Sequence, residues 1–227
     1  MDILFEDNHL IALNKKSGDI IQGDKTGDKP LSEIVKDYLK DKYNKPGAAF
    51  IGVVHRIDRP VTGVVIFART SKALVRMNEL FREKKIKKTY WAVVKNKPDE
   101  DSGTLIHYLK KDEKNNKSKS FDKDVPGSLR SWLDYKVIGK SDNYYLIEVS
   151  PQTGRHHQIR VQLAAIGCPI KGDVKYGYQR TNEDGSIHLH ARKVDFIHPV
   201  KKNEISLIAP VPDEKIWKFF EESVLQF

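Results

Sequence analysis

Residues 52–69 read GVVHRIDRPVTGVVIFAR, and this stretch decides how the rest of the chain is interpreted. Two apolar runs, Val53-Val54 and 64–67, lie on either side of a charged segment. Their β-branched content predicts two buried strands. Pro60 and Gly63 lie between the runs and predict a tight turn that joins the two strands.

A carboxylate lies in the middle of this stretch. Asp58 ends the quartet HRID, which begins at His55, and it has an arginine on each side, Arg56 and Arg59. Charged groups are costly to bury unless they are paired, so a charged quartet between apolar runs is unusual. Two interpretations follow from this stretch alone: a structural ion pair at a strand end, or a carboxylate in an active site.

The composition favours a protein that binds nucleic acid without deciding the matter. The chain has 227 residues, 40 Lys and Arg against 31 Asp and Glu, and a formal net charge of +9. This length can bury a substantial core without metals or disulfides. An excess of positive charge is typical of proteins that bind polyanions, although a soluble protein can also be basic for other reasons.

Cysteine content and hydropathy indicate the cellular compartment in which the protein is expected to occur. Cys168 is the only cysteine, which excludes an internal disulfide and a zinc site with several cysteines, and fits a reducing cytoplasm. The N-terminus has acidic residues early and no apolar core of signal-peptide length. No apolar run approaches the length of a membrane span. The sequence therefore predicts a soluble cytoplasmic protein that does not bind membranes.

Hydrophobic periodicity predicts an α+β fold in which a mixed, mainly antiparallel β-sheet is flanked by helices. A polar, lysine-rich stretch at 110–123 is predicted to be a mobile loop that either touches RNA or is solvated surface. The predicted strands are 3–5, 10–14, 90–94, 131–137 and 144–149. Pro30 opens the first predicted helix, which has an apolar stripe facing the core made of Leu31, Ile34, Val35, Tyr38 and Leu39. Thr70-Ser71 caps the second, which has a stripe made of Leu74, Met77, Leu80 and Phe81 and leads into a basic turn at 84–88. Residues 158–166 suit a helix or turn, and Asp213 opens the last predicted helix, with Ile216, Phe219 and Phe220 turned inward.

A second stretch, residues 151–177, reads PQTGRHHQIRVQLAAIGCPIKGDVKYG. Together with HRIDR at 55–59 and Gly63, it resembles the two signature segments of the RluA-type RNA pseudouridine synthases: HRLDR followed by a glycine, and TGRxHQIRV followed by GDxxYG. The opening ILFEDNHLIALNKKSG and the segment LHARKVDFIHP at 189–199 also resemble that family. The resemblance therefore covers nearly the whole chain.

This resemblance implies a fold and an activity. The fold is a pseudouridine synthase catalytic fold with a central active-site cleft, in one catalytic domain over 1–227 without a separate N-terminal RNA-binding domain. The activity is isomerisation of a specific uridine in ribosomal or transfer RNA to pseudouridine, which breaks the N1–C1′ bond and rejoins the uracil through C5. No metal and no cofactor are implied, the partner is structured RNA, and a monomer is expected.

The resemblance also implies roles for individual residues. Asp58 is the expected nucleophile, either adding covalently or taking a ribose proton to leave a glycal, and Arg160 is its expected salt-bridge partner. Tyr90 is expected to stack on the flipped uracil, whereas a strand tyrosine without this resemblance is a core side chain. Arg56 is expected to fill the space that the base vacates. The other residues expected to bind RNA or to support its binding are Arg59, Arg155, His157, Gln158, Lys87 and Lys88.

Departures from the family pattern leave the RNA undetermined. His156 replaces a Thr or Ser, Lys16 replaces a proline, and Val61-Thr62 differs from Thr-Ser. These changes lie beside the expected catalytic groups. His157 and Gln158 match the pattern and are expected either to orient Arg160 and the turn or to make only local hydrogen bonds, and not to act as acid or base.

Three other functions remain as alternatives. A metal site could use His156, His157, His188 and His190, since the i, i+2 pair His188 and His190 on a strand would point both rings to one face, although this spacing matches no zinc pattern. Glycoside hydrolysis needs two carboxylates, but only Asp58 lies in a motif, while Asp173 is expected to fix a turn after Gly172. The third alternative is a non-catalytic RNA-binding protein on a synthase scaffold, against which the complete set of expected catalytic residues argues.

Overall fold

The computed structural model describes residues 1–24, 26–44 and 46–225, and its contacts divide the chain into two compact units. The first unit is Met1–Lys87 with Ala191–Pro210, and the second is Lys88–His190 with the C-terminal segment that begins at Val211. The described residues form eleven β-strands and four α-helices, and the sheet pairings are mainly antiparallel. The predicted α+β class is confirmed, and the single catalytic domain with a central cleft stays a prediction.

The elements follow one another from the N-terminus to the C-terminus as strands interrupted by four helices. The strands are β1 (Ile3–Glu6), β2 (Leu10–Lys15), β3 (Gly52–Val53), β4 (Thr62–Ala68), β5 (Lys87–Val94), β6 (Ser102–Asp112), β7 (Lys117–Phe121), β8 (Leu129–Lys140), β9 (Tyr145–Pro151), β10 (Leu189–Ile197) and β11 (Glu204–Ile208). The helices are α1 (Leu31–Lys42), α2 (Ser71–Arg82), α3 (Gln158–Ala165) and α4 (Lys215–Leu225), with a short 3-10 helix at Val174–Tyr176. Among the described helices, none has the length and apolar character needed to cross a membrane.

In the first unit, β4 is the central strand. The strand order is β1-β2-β4-β10, with β3 also on β4 and β11 on β10. Every residue of β4 is buried because both of its faces are covered. Val64 and Ile66 pack with α2 through Met77, while Val65 and Phe67 pack in a cluster with α1. The apolar stripes predicted for these two helices are therefore confirmed as core-facing.

The start signals of these two helices act as predicted. Pro30 is the residue before the first turn of α1, where its missing N–H costs nothing. The hydroxyl oxygen of Thr70 accepts a hydrogen bond from the N–H of Ala73 at 3.1 Å and caps α2.

The connection between β3 and β4 differs from the predicted tight turn. β3 has only two residues and pairs with Ala68 and Phe67 of β4, so residues 54–61 form an eight-residue loop. Gly63 lies inside β4, with a φ of 111°. A Cβ atom there would overlap the backbone of Ala191 in β10, so glycine is needed for the two strands to lie side by side. The HRID quartet therefore belongs to a loop with room to expose side chains.

In the second unit, the strand order is β5-β9-β8-β6-β7. Helix α4 packs on this sheet through Trp217 and Phe220, which lie in one cluster with Trp91 and Leu146. The inward orientation predicted for Phe219 is wrong, since 48% of that residue is exposed. At 3.6 residues per turn, Trp217 and Phe220 share a face that Phe219 does not.

The lysine-rich stretch 110–123 is a β-hairpin, and the prediction of a mobile loop is wrong. β6 continues to Asp112 and pairs with β7 from Tyr108–Phe121 to Asp112–Lys117. The buried position of β7 carries Ser118, and its exposed position carries Lys119. Because the inward side chain is small and polar, the apolar alternation that signals a strand is missing.

Candidate active site

His55, the second residue of the loop 54–61, continues the hydrogen bonding of the strand ladder. β3 ends opposite Phe67, and the next N–H of β4, that of Ile66, donates to Nε2 of His55 at 3.1 Å. The imidazole also stacks on Phe81, with 5.2 Å between the ring centroids. His55 therefore takes the place of a backbone acceptor and fixes the start of the loop that carries Asp58.

The far side of the loop is fixed by a buried lysine. Nζ of Lys15, a residue that is 1% exposed, donates to the backbone carbonyls of Lys16 (2.9 Å), Arg59 (2.9 Å) and Val61 (2.7 Å). An ammonium group has three donors, and all three are used here. The N–H of Val61 also donates to the carbonyl of Asp58 at 3.0 Å. The backbone around Asp58 is therefore held by charge-assisted hydrogen bonds.

The charge of Lys15 is linked to its surroundings. Burial lowers the pKa of Lys15 to about 8, and the carboxylates of Asp19 and Asp58 oppose that shift. Lys15 was missed in the sequence, although a signal for it exists: Ile11, Leu13 and Lys15 alternate along β2 and share its buried face.

The charged residues of the loop reach the surface to different extents. Asp58 is half-buried, while Arg56 and Arg59 are exposed. Nη2 of Arg59 lies 2.7 Å from Oδ2 of Asp28, and about half of each side chain is exposed. An exposed pair of this kind contributes little stability. Both arginines are therefore placed where RNA could reach them.

In the second unit, Arg160 lies in α3 and is held by a carboxylate. Its Nε donates to Oδ2 of Asp173 at 2.7 Å and its Nη2 to Oδ1 at 2.8 Å, with both side chains buried. Its guanidinium also lies over the ring of Tyr176, 5.1 Å from the centroid. Asp173 fixes the following turn as predicted, because its carbonyl accepts from the N–H of Tyr176. Its bidentate pairing with Arg160 was not foreseen, and the pairing of Arg160 with Asp58 stays a prediction.

The residue before α3 is anchored by a tyrosine hydroxyl. His157 has a left-handed φ of 54°, and its Nδ1 lies 2.8 Å from the hydroxyl of Tyr176. The same hydroxyl accepts from the N–H of Ser118 in β7 at 2.8 Å. His156 stacks on His157 with 3.7 Å between centroids, and its carbonyl accepts from the hydroxyl of Ser118. The β6–β7 hairpin is thus joined to the start of α3.

Gln158 organises the loop that precedes α3. Its side-chain oxygen accepts from the hydroxyl of Thr153 at 2.7 Å and the N–H of Arg155 at 3.1 Å, and its Nε2 donates to the carbonyl of Trp132 at 3.0 Å. Gln158 is buried, whereas Arg155 is exposed. These bonds are local hydrogen bonds, and an orienting role of Gln158 toward Arg160 stays a prediction.

Tyr90 and two lysines lie on β5. Tyr90 is half-buried and pairs with Val149 of β9, while Thr89 and Trp91 on the other face are buried. Lys87 is exposed and Lys88 is half-buried. The strand begins three residues earlier than predicted, so both lysines are strand residues and not part of a basic turn.

The four histidines of the metal hypothesis have other partners. His188 and His190 both contact Trp217, with centroid distances of 5.4 Å and 5.8 Å, so they face the same side of the chain as predicted. His156 and His157 stack on each other beside Ser118. Across the described ranges, no group of three or more His, Cys, Asp or Glu residues could hold a metal ion.

The chain is similar to known proteins over most of its length. Residues 9–165 match the family described as RNA pseudouridylate synthase. A Vibrio cholerae protein named ribosomal large subunit pseudouridine synthase C is 33% identical over 215 residues, which cover 92% of this chain and 65% of that protein. A Buchnera aphidicola protein of the same name is 35% identical over 216 residues, covering 92% and 67%. The chain thus spans about two thirds of the length of the curated relatives it matches.

The fold is also similar to a solved structure. The human protein titled RNA Pseudouridylate Synthase Domain Containing 4 has a TM-score of 0.79 and 22% identity to this chain, covering 99% of this chain and 93% of that one. At this identity, the likeness concerns the fold alone.

Proposed function

This chain belongs to the RNA pseudouridylate synthase family, and we propose that it isomerises a specific uridine in RNA to pseudouridine with Asp58 as the nucleophile. The observation that carries the proposal is the construction of the loop 54–61. Its aspartate lies at the position of the family motif, and the backbone beside it is held by Lys15 and His55. A reacting carboxylate must be held in a fixed position, because small displacements cost large factors in rate.

The proposed reaction begins with a flipped nucleotide. A base within a stacked RNA cannot reach a side chain, so the uridine leaves the stack at a cost of a few kcal/mol. Arg56 is exposed and carries a planar guanidinium that can stack where the base was. Asp58 then either adds to a carbon of the nucleotide or removes a ribose proton to leave a glycal. The N1–C1′ bond breaks, the uracil rotates, and a C5–C1′ bond forms.

The last step removes the proton from C5. Tyr90 is the proposed residue that meets the uracil and assists this proton transfer. Its half-buried position on β5, with Trp91 packed into the core on the other face, fits a ring that contacts a ligand on one side. The C5 proton is released and N1, freed from C1′, takes up a proton from solvent, so the product is an isomer of the substrate and no redox partner is needed.

Arg160 is proposed to position the reacting carboxylate. Its two hydrogen bonds to Asp173 and its contact with the ring of Tyr176 hold the guanidinium in one plane. A guanidinium held in this way can orient a charged partner without losing side-chain entropy at the moment of reaction.

Ribosomal RNA of the large subunit is the proposed substrate, since the curated relatives carry that RNA in their names. The expected contacts to its backbone include the exposed Arg56, Arg59, Lys87 and Arg155. Transfer RNA is the alternative substrate, and one assay on separate RNA fractions distinguishes the two.

The test is tritium release from RNA labelled at uridine C5 and prepared from cells that lack this gene. Ribosomal and transfer RNA fractions are incubated separately with the protein, and the products are digested to nucleosides. Release from the ribosomal fraction, with an equal amount of pseudouridine formed, is the expected result. RNA binding without release from either fraction would instead support the non-catalytic RNA-binding alternative.

A further inference from the structure

Lys88 is a partly buried cation without a protein partner. It lies on β5 and is half-buried. Burial lowers the pKa of Lys88 and is the only cause of that shift, so no carboxylate compensates it. Within residues 1–24, 26–44 and 46–225, the ammonium group has no hydrogen bond and no ion pair. Partial burial of an ammonium is unfavourable, and within the protein no acceptor offsets it, so its donors are open to solvent or to a ligand.

Strand geometry places Lys88 on the same face as Tyr90. Side chains alternate along a strand, so residues two apart share a face and lie about 7 Å apart. Thr89 and Trp91 occupy the other face and are buried, which confirms this alternation. In a nucleotide, the phosphate and the base are separated by a comparable distance. A uracil that meets Tyr90 would therefore bring a backbone phosphate within reach of Lys88.

A second cation follows the neighbouring strand in the sequence. β5 and β9 are antiparallel, with Tyr90 opposite Val149, so the Lys88 end of β5 lies beside the end of β9 at Pro151. The chain continues from there into the loop that carries Arg155. Arg155 is exposed, and in the described part of the chain its guanidinium makes no ion pair. Arg155 is therefore a second cation without an ion pair, four residues beyond the strand end that lies beside Lys88.

We propose that Lys88 binds a backbone phosphate of the RNA next to the uridine that is isomerised. The proposal rests on the proposed function, because it takes the RNA substrate and the position of Tyr90 from it. A phosphate supplies several strong acceptor oxygens and one negative charge, which are what the ammonium of Lys88 lacks. The contact carries no sequence information, so it positions the nucleotide and does not select it.

The test measures the salt dependence of RNA binding. A fluorescein-labelled, uridine-rich, single-stranded RNA of 20 nucleotides is titrated with protein from low to high KCl, and the anisotropy gives Kd. The proteins are wild type, Lys88→Gln, Lys88→Arg and Lys95→Gln. Lys95 is exposed and follows the other end of β5, so its variant removes one positive charge without touching the proposed site.

Loss of one phosphate contact should change both the salt dependence and the strength of RNA binding. The slope of log K against log salt should become shallower by about 0.7–1 in Lys88→Gln, with an affinity loss of roughly tenfold near physiological salt. Lys88→Arg should restore both values, and Lys95→Gln should match the wild type. Thermal unfolding of each variant shows whether the fold is kept.

Two results would overturn the proposal. One is a folded Lys88→Gln with the wild-type slope and affinity. The other is a folded Lys88→Arg that binds as poorly as Lys88→Gln, which would mean that shape and not charge matters. The binding assay needs no turnover. A wild-type protein that releases no tritium therefore defeats the proposed function, while the salt slope separately decides the role of Lys88.

Discussion

Lys15 and Lys88 are both lysines whose burial lowers their pKa, yet they meet the cost of burial in different ways. Lys15 lies under the Asp58 loop and donates to three backbone carbonyls at 2.7–2.9 Å. Lys88 lies on the strand that carries Tyr90 and has no partner in the described chain. A buried cation with acceptors in the protein fixes the backbone, whereas a half-buried cation without them can bind acceptor atoms of a ligand.

Arg160 is a buried cation like Lys15, but its partner is a carboxylate and not a set of backbone carbonyls. Arg160→Ala would leave Asp173, which is 1% exposed, without its bidentate partner. We expect a loss of about 3–5 kcal/mol in the free energy of unfolding, since an unpaired buried charge is strongly destabilising. Urea denaturation measures it.

The matched control for this pair is Asp173→Asn. It should lose a comparable amount, and the double variant should lose less than the sum of the two single losses, because both groups act through one interaction. A loss below about 1 kcal/mol in Arg160→Ala would mean that the pair contributes as little as a surface salt bridge does.

Lys15→Met tests the satisfied lysine directly. Three carbonyls lose their charge-assisted donor, so we expect a loss of about 3 kcal/mol in the free energy of unfolding. The Asp58 loop would also move, and tritium release should fall roughly 100-fold, since a displacement near 1 Å can cost that much. A variant with wild-type stability and activity would show that the loop does not depend on Lys15.

Titration of Lys15 should change the free energy of unfolding and the rate of tritium release in opposite directions as the pH rises. Lys15 titrates at about 8 in the folded protein and at its ordinary value of 10.5 when unfolded. Between these values the unfolded chain holds more protons, so the free energy of unfolding should rise with pH. A neutral amine has only two N–H donors, so one carbonyl loses its bond. Tritium release should therefore fall about tenfold by one pH unit above that pKa.

This measurement is made in the Lys88→Gln background, so that the lowered pKa of Lys88 does not contribute. Lys15→Arg, whose side chain stays charged, is the control and should remove both trends if it folds. Activity that stays flat from pH 7 to 9.5 in a folded protein would contradict the role given to Lys15.

Lys88→Met is expected to have the smallest effect on the free energy of unfolding, and to raise it where the other substitutions lower it. Removing a desolvated charge that has no protein partner should raise the free energy of unfolding by roughly 0.5–1 kcal/mol, a value discounted for partial exposure. Urea denaturation of Lys88→Met beside Lys95→Met provides the comparison. Equal destabilisation of both variants would remove the distinction between Lys15 and Lys88.

The apolar elements of this fold could be predicted because their signals are local. The apolar run 64–67 predicted a buried strand, and the apolar stripes of α1 and α2 predicted helices that face the core. The β6–β7 hairpin was missed because Ser118 fills its inward position and is satisfied by Tyr176, 58 residues away. Hydrophobic periodicity is a local pattern and cannot predict a polar contact between residues so far apart in the sequence.

The residues of the candidate site likewise include some that local sequence signals identified and others that only the folded structure reveals. The motifs identified Asp58 and Arg160 because those residues lie in the matching segments. Lys15 was missed because its carbonyl partners at Arg59 and Val61 lie 44 and 46 residues away and become visible only once the strands pair. The sequence indicated only a turn at Asp173. Its bidentate bond to Arg160 could not be predicted, because that bond depends on how α3 packs.

The most direct test of the account is single-turnover tritium release by Asp58→Asn. The matched control is Asp41→Asn, which removes an exposed carboxylate from α1 in the same unit. We predict that Asp58→Asn binds RNA and unfolds like the wild type but releases no tritium, whereas Asp41→Asn releases it at the wild-type rate. Release by Asp58→Asn at the wild-type rate would contradict the account, because the loop that Lys15 holds would then carry no nucleophile.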